Sequence, residues 1–145
     1  MKWVVRERQA KGETVDLGVV TMRLLVARPQ THGTLGAAEF TGREGAWTVP
    51  HIHRRMEESF YVLSGRFAFT VGDSEVAVDE GGFIMVPRGT RHLIHCGADG
   101  GKLLALFTPA GLEEMFLELG RLPADSITNP DVRAAIALRH DSIPA

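Results

Sequence analysis

The chain has 145 residues, 44% hydrophobic and 23% charged, which is the profile of one soluble globular domain. A chain of this length buries a core without disulfide help, and its one cysteine, Cys96, excludes an intramolecular bridge and fits a reducing cytoplasm. A formal net charge of −2 with scattered basic residues argues against nucleic acid or an anionic membrane surface as partner. The N-terminal run Trp3-Val4-Val5 breaks at Arg6, too early for a signal peptide, and no apolar stretch is long enough to span a bilayer.

Residues 2–108 read as strands and turns. Trp3–Glu7, Val15–Val20 and Met22–Ala27 are β-rich runs. Gln30-Thr31-His32-Gly33 and Phe40-Thr41-Gly42-Arg43-Glu44-Gly45 are loop signals. Glu58–Leu63 and Phe67–Val71 flank Ser64-Gly65-Arg66, which reads as a hairpin turn. Gly72-Asp73-Ser74 is the next turn. Glu75–Val78 and Phe83–Val86 flank Asp79-Glu80-Gly81-Gly82, and His92–His95 and Leu103–Phe107 complete the series. Short strands at this even spacing predict an all-β sandwich or barrel, not a βαβ protein.

The tail reads differently. Leu112, Met115, Phe116 and Leu119 share one helical face, with Gly111 before and Gly120 after. Asn129-Pro130-Asp131 predicts an N-cap, and Val132 to Arg139 a second short helix. The expected organisation is a barrel over 1–110 and a helical extension over 111–145 packed on it. The extension would cover one face or mouth.

Chemistry concentrates at His51, His53, Glu58 and His92. Side chains alternate along a strand, so His51 and His53 face the same way. Glu58 opens the next strand after a polar turn, and His92 opens a later one. Glu57 competes as the carboxylate, but Glu58 shares parity with Phe60 and Val62, an inward-facing set. Three imidazoles and a carboxylate suit a divalent transition metal: Fe, Mn, Ni, Co, Cu or Zn. An octahedral ion would keep two positions for water, substrate or dioxygen. His95 lies three residues beyond His92 and faces the other way. His32 falls in a loop and His140 near the end of the last helix, both expected exposed. Arg54 and Arg55 read as a solvated turn. Cys96 shares parity with His92 and Ile94 and is expected to pack inside. Trp47, Phe60, Phe67, Phe69, Phe83, Met85 and Ile94 are candidates for an apolar pocket, which would favour a flat aromatic ligand.

These residues stand in two patterns. Gly45 to Gly65 reads G-x5-H-x-H-x4-E-x6-G, and Gly81 to Cys96 reads G-x5-P-x-G-x2-H-x3-C. The pair resembles the two motifs of the cupin superfamily, with Cys96 where the second motif usually ends in Asn. The resemblance implies a jelly-roll-like β-barrel with His51, His53, Glu58 and His92 as metal ligands near one end of its interior. The chain is similar to small single-domain bacterial cupins, including quercetin dioxygenase-like proteins and polyketide cyclases.

Three functions fit such a site. A redox metal would activate an enol or phenol toward dioxygen, with Glu58 as ligand and proton acceptor. A non-redox metal would stabilise an enolate for cyclisation or isomerisation. A barrel that binds a small molecule without turning it over is the third. No helix-turn-helix segment is evident, which ranks enzyme above sensor, and the dioxygenase stands ahead of the cyclase. Oligomeric state is open at this point: edge strands such as Trp3–Glu7 could pair in a homodimer, and the two C-terminal helices could equally cap an edge in a monomer.

Overall fold

Alternating apolar and polar residues build an antiparallel sheet that folds over on itself. The computed structural model describes residues 2–8 and 13–145. Its strands are β1 (Thr14–Asp16), β2 (Val20–Val26), β3 (Gly36–Gly42), β4 (Gly45–Ala46), β5 (His51–Ile52), β6 (Glu57–Val71), β7 (Ser74–Asp79), β8 (Phe83–Val86), β9 (His92–Thr108) and β10 (Ile143–Pro144). The helices are α1 (Leu112–Gly120), α2 (Ala124–Ile127) and α3 (Pro130–Arg139). The expected all-β barrel is therefore present, with a four-residue α2 between the two expected helices.

Two long strands form the spine. β6 and β9 pair antiparallel from Glu57 opposite Thr108 to Val71 opposite His92. The other edge of β9 takes β3, β4 and β5 in turn. The other edge of β6 takes β8 and β7.

The expected hairpin at Ser64-Gly65-Arg66 does not form: β6 runs unbroken for 15 residues. Likewise, His92–His95 and Leu103–Phe107 are the two ends of one 17-residue strand. What lies between each pair of runs is a bulge, not a turn. On β6 the buried set is Phe60 and Val62 before the irregularity and Phe67 and Phe69 after it. On β9 it is His92, Ile94 and Cys96, then Leu103, Ala105 and Phe107. Leu63 and Arg66 drop out of register on β6 and residues 97–100 on β9, and past them the opposite parity of each strand faces inward. At the crossing, Gly65 has φ +83°, and a Cβ there would lie 2.2 Å from the Gly100 carbonyl oxygen.

Other boundaries also moved. Leu17–Val19 forms the turn between β1 and β2, splitting the expected run Val15–Val20, with Gly18 N–H donating to the Asp16 carboxylate at 2.9 Å. The expected loop Phe40–Gly45 is largely sheet, since β3 runs to Gly42 and β4 starts at Gly45. β3 itself, rich in Gly and Ala, carries little β-propensity and was not anticipated. Trp3–Glu7 forms no strand, and Trp3 is 90% exposed.

The core lies between the sheet's inner faces and continues under α1. Leu112, Met115 and Leu119 are buried there, and the Phe116 ring meets Phe40 edge-on at 4.9 Å. Glu113 is fully buried at the start of α1, and its carboxylate accepts from the Arg28 and Gly111 backbone N–H groups at 2.7 and 2.8 Å. It ties the helix start to the end of β2. Asn129 caps α3 as expected, accepting from Asp131 N–H at 2.9 Å. The chain then returns to the sheet, where β10 pairs with β5, Pro144 opposite His51. No helix among the described residues is long and apolar enough to cross a membrane.

Candidate metal centre

His51 on β5 sits directly opposite His92 on β9, so strand pairing alone brings these two side chains to one face. His53 follows two residues later, just past the end of β5, and Glu58 enters at the start of β6. All four are buried, His53 at 2% and Glu58 at 5% exposure. The His51 and His92 rings lie 4.2 Å apart between centroids, and His51 and His53 4.7 Å. One donor atom from each of the four residues falls within 4.8 Å of all the others. The structure thus brings together the four residues expected from the sequence.

The hydrogen bonds behind the rings decide what the front can do. His51 Nδ1 lies 2.6 Å from the Val49 carbonyl oxygen, His53 Nδ1 2.8 Å from that of Asp141, and His92 Nδ1 2.9 Å from that of Thr90. A carbonyl only accepts, so each Nδ1 carries the proton and each Nε2 presents a lone pair forward. Glu58 Oε1 stands 3.4 Å from His53 Nε2 and 3.2 Å from His92 Nε2. With neutral rings, lone pairs and a carboxylate converge with no hydrogen between them. His53 Nε2 is buried without a hydrogen-bond partner. Such a set is satisfied by a shared proton or by a cation, and this donor set fits a borderline divalent metal.

The electrostatics agree. Burial, reinforced by the nearby His92, pushes the His51 pKa down to about 4, so this ring is neutral and free to ligate at pH 7. For His53, burial works to lower the pKa, but Glu58 beside it outweighs burial and the net direction is upward. For Glu58, burial works to raise the pKa, but His53 and His92 together hold the carboxyl below its usual range. Glu58 and the two rings beside it therefore favour positive charge among them, which is where a cation would sit.

The remaining candidates sort by parity. Glu57 faces outward and forms an ion pair with Arg88, with Nη2 3.0 Å from Oε1. His95 and His32 are exposed. His140, at the end of α3, is half-buried, not exposed as expected: its Nε2 lies 2.6 Å from a carboxylate oxygen of Glu118 on α1. Cys96 is fully buried beside Phe67 on β6, and burial raises its thiol pKa, with Glu44 adding to the effect. It packs as an inert group, not as a nucleophile.

Above the centre opens a cavity of about 410 Å³, with His51, His53 and Glu58 on its wall. Trp47, Phe60 and Ile94 line it as expected, whereas Phe67 and Phe69 are buried core behind it. Phe83 and Met85 face the solvent, 58% and 46% exposed. They pair with Tyr61 and Ser59, which stand on the outer face of β6, so they share that face.

The tail covers the mouth, as one of the two expected placements had it, while the tail residues that enter the cavity and the part played by Asp141 have no mark in the sequence. Met115, Phe116, Ala134 and Arg133 from α1 and α3 complete the cavity, so the tail forms its roof. Asp141 supports the centre: besides receiving His53 Nδ1–H on its carbonyl, its carboxylate accepts from Arg54 and Arg55 N–H at 3.0 and 2.8 Å. Asp141 sits at φ 58°, which short polar side chains tolerate. It lies 88 positions from His53, and no local signal marks it.

A family model described as a cupin domain matches residues 39–108. That stretch of the chain is similar to a cupin domain. Quercetin 2,3-dioxygenase of Bacillus subtilis is 26% identical over 110 residues, covering 76% of this chain. The chain spans 33% of the length of that relative. Among solved structures, KdgF from Halomonas superposes with a TM-score of 0.66 at 18% identity, covering 78% of this chain and 99% of that one. Pac13, a nucleoside dehydratase from Streptomyces, superposes with a TM-score of 0.60 at 17% identity, covering 72% of this chain and 81% of that one. These structural likenesses establish the cupin fold; the family alone does not select a reaction.

Proposed function

We propose that this chain is a metal-dependent cupin enzyme, a dioxygenase acting on a small aromatic or enolic molecule. The observation that carries this reading is the convergence of three Nε2 lone pairs and one ionised carboxylate at the wall of an apolar cavity. His51, His53, Glu58 and His92 would hold the metal. The match to a quercetin dioxygenase supports the choice of chemistry. A redox-capable divalent metal held there would supply Lewis acidity toward a hydroxyl oxygen and a route for electrons to dioxygen.

The chain's own groups do the rest. The backbone carbonyls of Val49, Asp141 and Thr90 hold the three rings in the tautomer that ligates. Among the described residues Glu58 is the one acid lining the cavity, and as an ionised acceptor it is placed to take a proton from a substrate hydroxyl. Trp47, Phe60 and Phe116 offer flat apolar surface that orients a ring and keeps water out.

Oxygen uptake measured with a panel of flavonols and simple polyphenols, alongside metal analysis, tests this. Uptake that depends on an intact His92 is expected. Zinc as the native metal with no uptake on any member of the panel would contradict the dioxygenase and favour the non-redox cyclase or isomerase.

A further inference from the structure

The cavity holds one feature that oxygen chemistry on a neutral ring does not use. Arg133 projects from α3 into the lining of the same cavity as His51, His53 and Glu58. It is half-buried, and its Nη1 donates to the Ile127 carbonyl at 3.0 Å. No carboxylate lies within ion-pair distance of it among the described residues, and it makes no other hydrogen bond there. Among the described residues, Arg23, Arg28, Arg66, Arg88 and Arg139 each face a Glu or Asp, and the other arginines without an ion pair are exposed to water; Arg133 alone is both unpaired and half-buried.

A guanidinium stays charged at any ordinary pH, and taking it out of water without a counter-charge is unfavourable. Burial already lowers its pKa. The unpaired edge of this fork is the right shape for a carboxylate. Around it the wall is small and apolar, with Ala134 and Ala137 on the same helix leaving room for a ligand. The cavity wall therefore carries Glu58 and the histidines from the barrel and Arg133 from α3, among mainly apolar side chains.

We propose that Arg133 is the receptor for a carboxylate on the substrate, and that the substrate is an aromatic acid spanning the cavity from α3 to the metal centre. The proposal narrows the substrate class of the function proposed above and rests on that use of the cavity. It adds a specificity-determining residue in the C-terminal helices, outside the motif residues.

The test compares 2-naphthoate with its neutral amide, 2-naphthamide, by calorimetric titration of the metal-loaded full-length chain. Wild type should bind the acid about tenfold more tightly than the amide, as expected for one charge-assisted hydrogen-bonded pair. Arg133→Gln should erase that preference while leaving amide binding and metal content unchanged. Arg133→Lys should restore part of it, which guards against a fold defect in the Gln variant. His51→Ala, stripped of metal, should retain the preference; this separates capture by Arg133 from carboxylate ligation of the metal. Equal binding of acid and amide by wild type, failure to bind either, or a preference that survives Arg133→Gln would overturn the proposal. Metal content, read independently, reports on the metal-dependent function instead.

Discussion

Asp141 shows how much of this candidate metal centre lies outside its four donor residues. Its carbonyl fixes the His53 tautomer, and its carboxylate holds the turn that carries Arg54 and Arg55 between His53 and Glu58. Asp141→Ala removes the carboxylate contacts and leaves a side chain that disfavours φ 58°. Metal affinity, read by chelator competition, should fall about tenfold, the lower end for loss of a group supporting a ligand. Unchanged affinity would show that the carbonyl contact alone positions His53. The four candidate donors were legible in the sequence because motif spacing marks them and strand parity is local: His51 goes with His53, and Glu58 goes with Phe60 and Val62 where Glu57 does not. Asp141 and Arg133 were not, since each reaches the site through chain packing over long separations. An Asp after a helix or an Arg within one carries no mark of what it will face.

At the scale of elements, the strands flanking the site were placed well and the two longest were each divided in half. The reason is physical. A bulge breaks the period-two pattern in the way a turn does, and Gly65 and Gly100 add glycine to the break. Pairing between β6 and β9 resumes past both irregularities; at the first only β6 carries an extra residue, and at the second both strands leave the register, Arg66 on β6 and residues 97–100 on β9. Gly65 therefore lies against Gly100 instead of closing a hairpin. Gly65→Ala should cost at least about 2 kcal/mol, from the left-handed backbone and the clash with the Gly100 carbonyl together. Urea unfolding measures it, and a midpoint equal to wild type would show that the bulge opens without penalty. β3 was missed for the opposite reason. Its Gly36, Ala37 and Ala38 give no β signal, yet small residues are needed where Glu113 packs: a Cβ on Gly36 would lie 2.4 Å from the Glu113 carboxylate.

Across the whole molecule, the barrel and the tail divide the work. The barrel strands bring His51, His53, Glu58 and His92 together, while α1, α3 and the turn at Asp141 roof the cavity and support the centre. The tail is tied down at both ends, by Glu113 at the start of α1 and by β10 against β5. The ligand geometry therefore depends on the full chain. It does not depend on the metal for the barrel's own core, which is apolar and continuous. The central claim is that these four side chains form one metal centre. Elemental analysis of wild type, His51→Ala and His92→Ala, with circular dichroism on each, tests it most directly. Wild type should carry about one divalent transition metal ion per chain, and both variants should lose it while keeping the wild-type spectrum. Full occupancy in either variant, or a wild type that takes up no metal when supplied with it, would contradict the account.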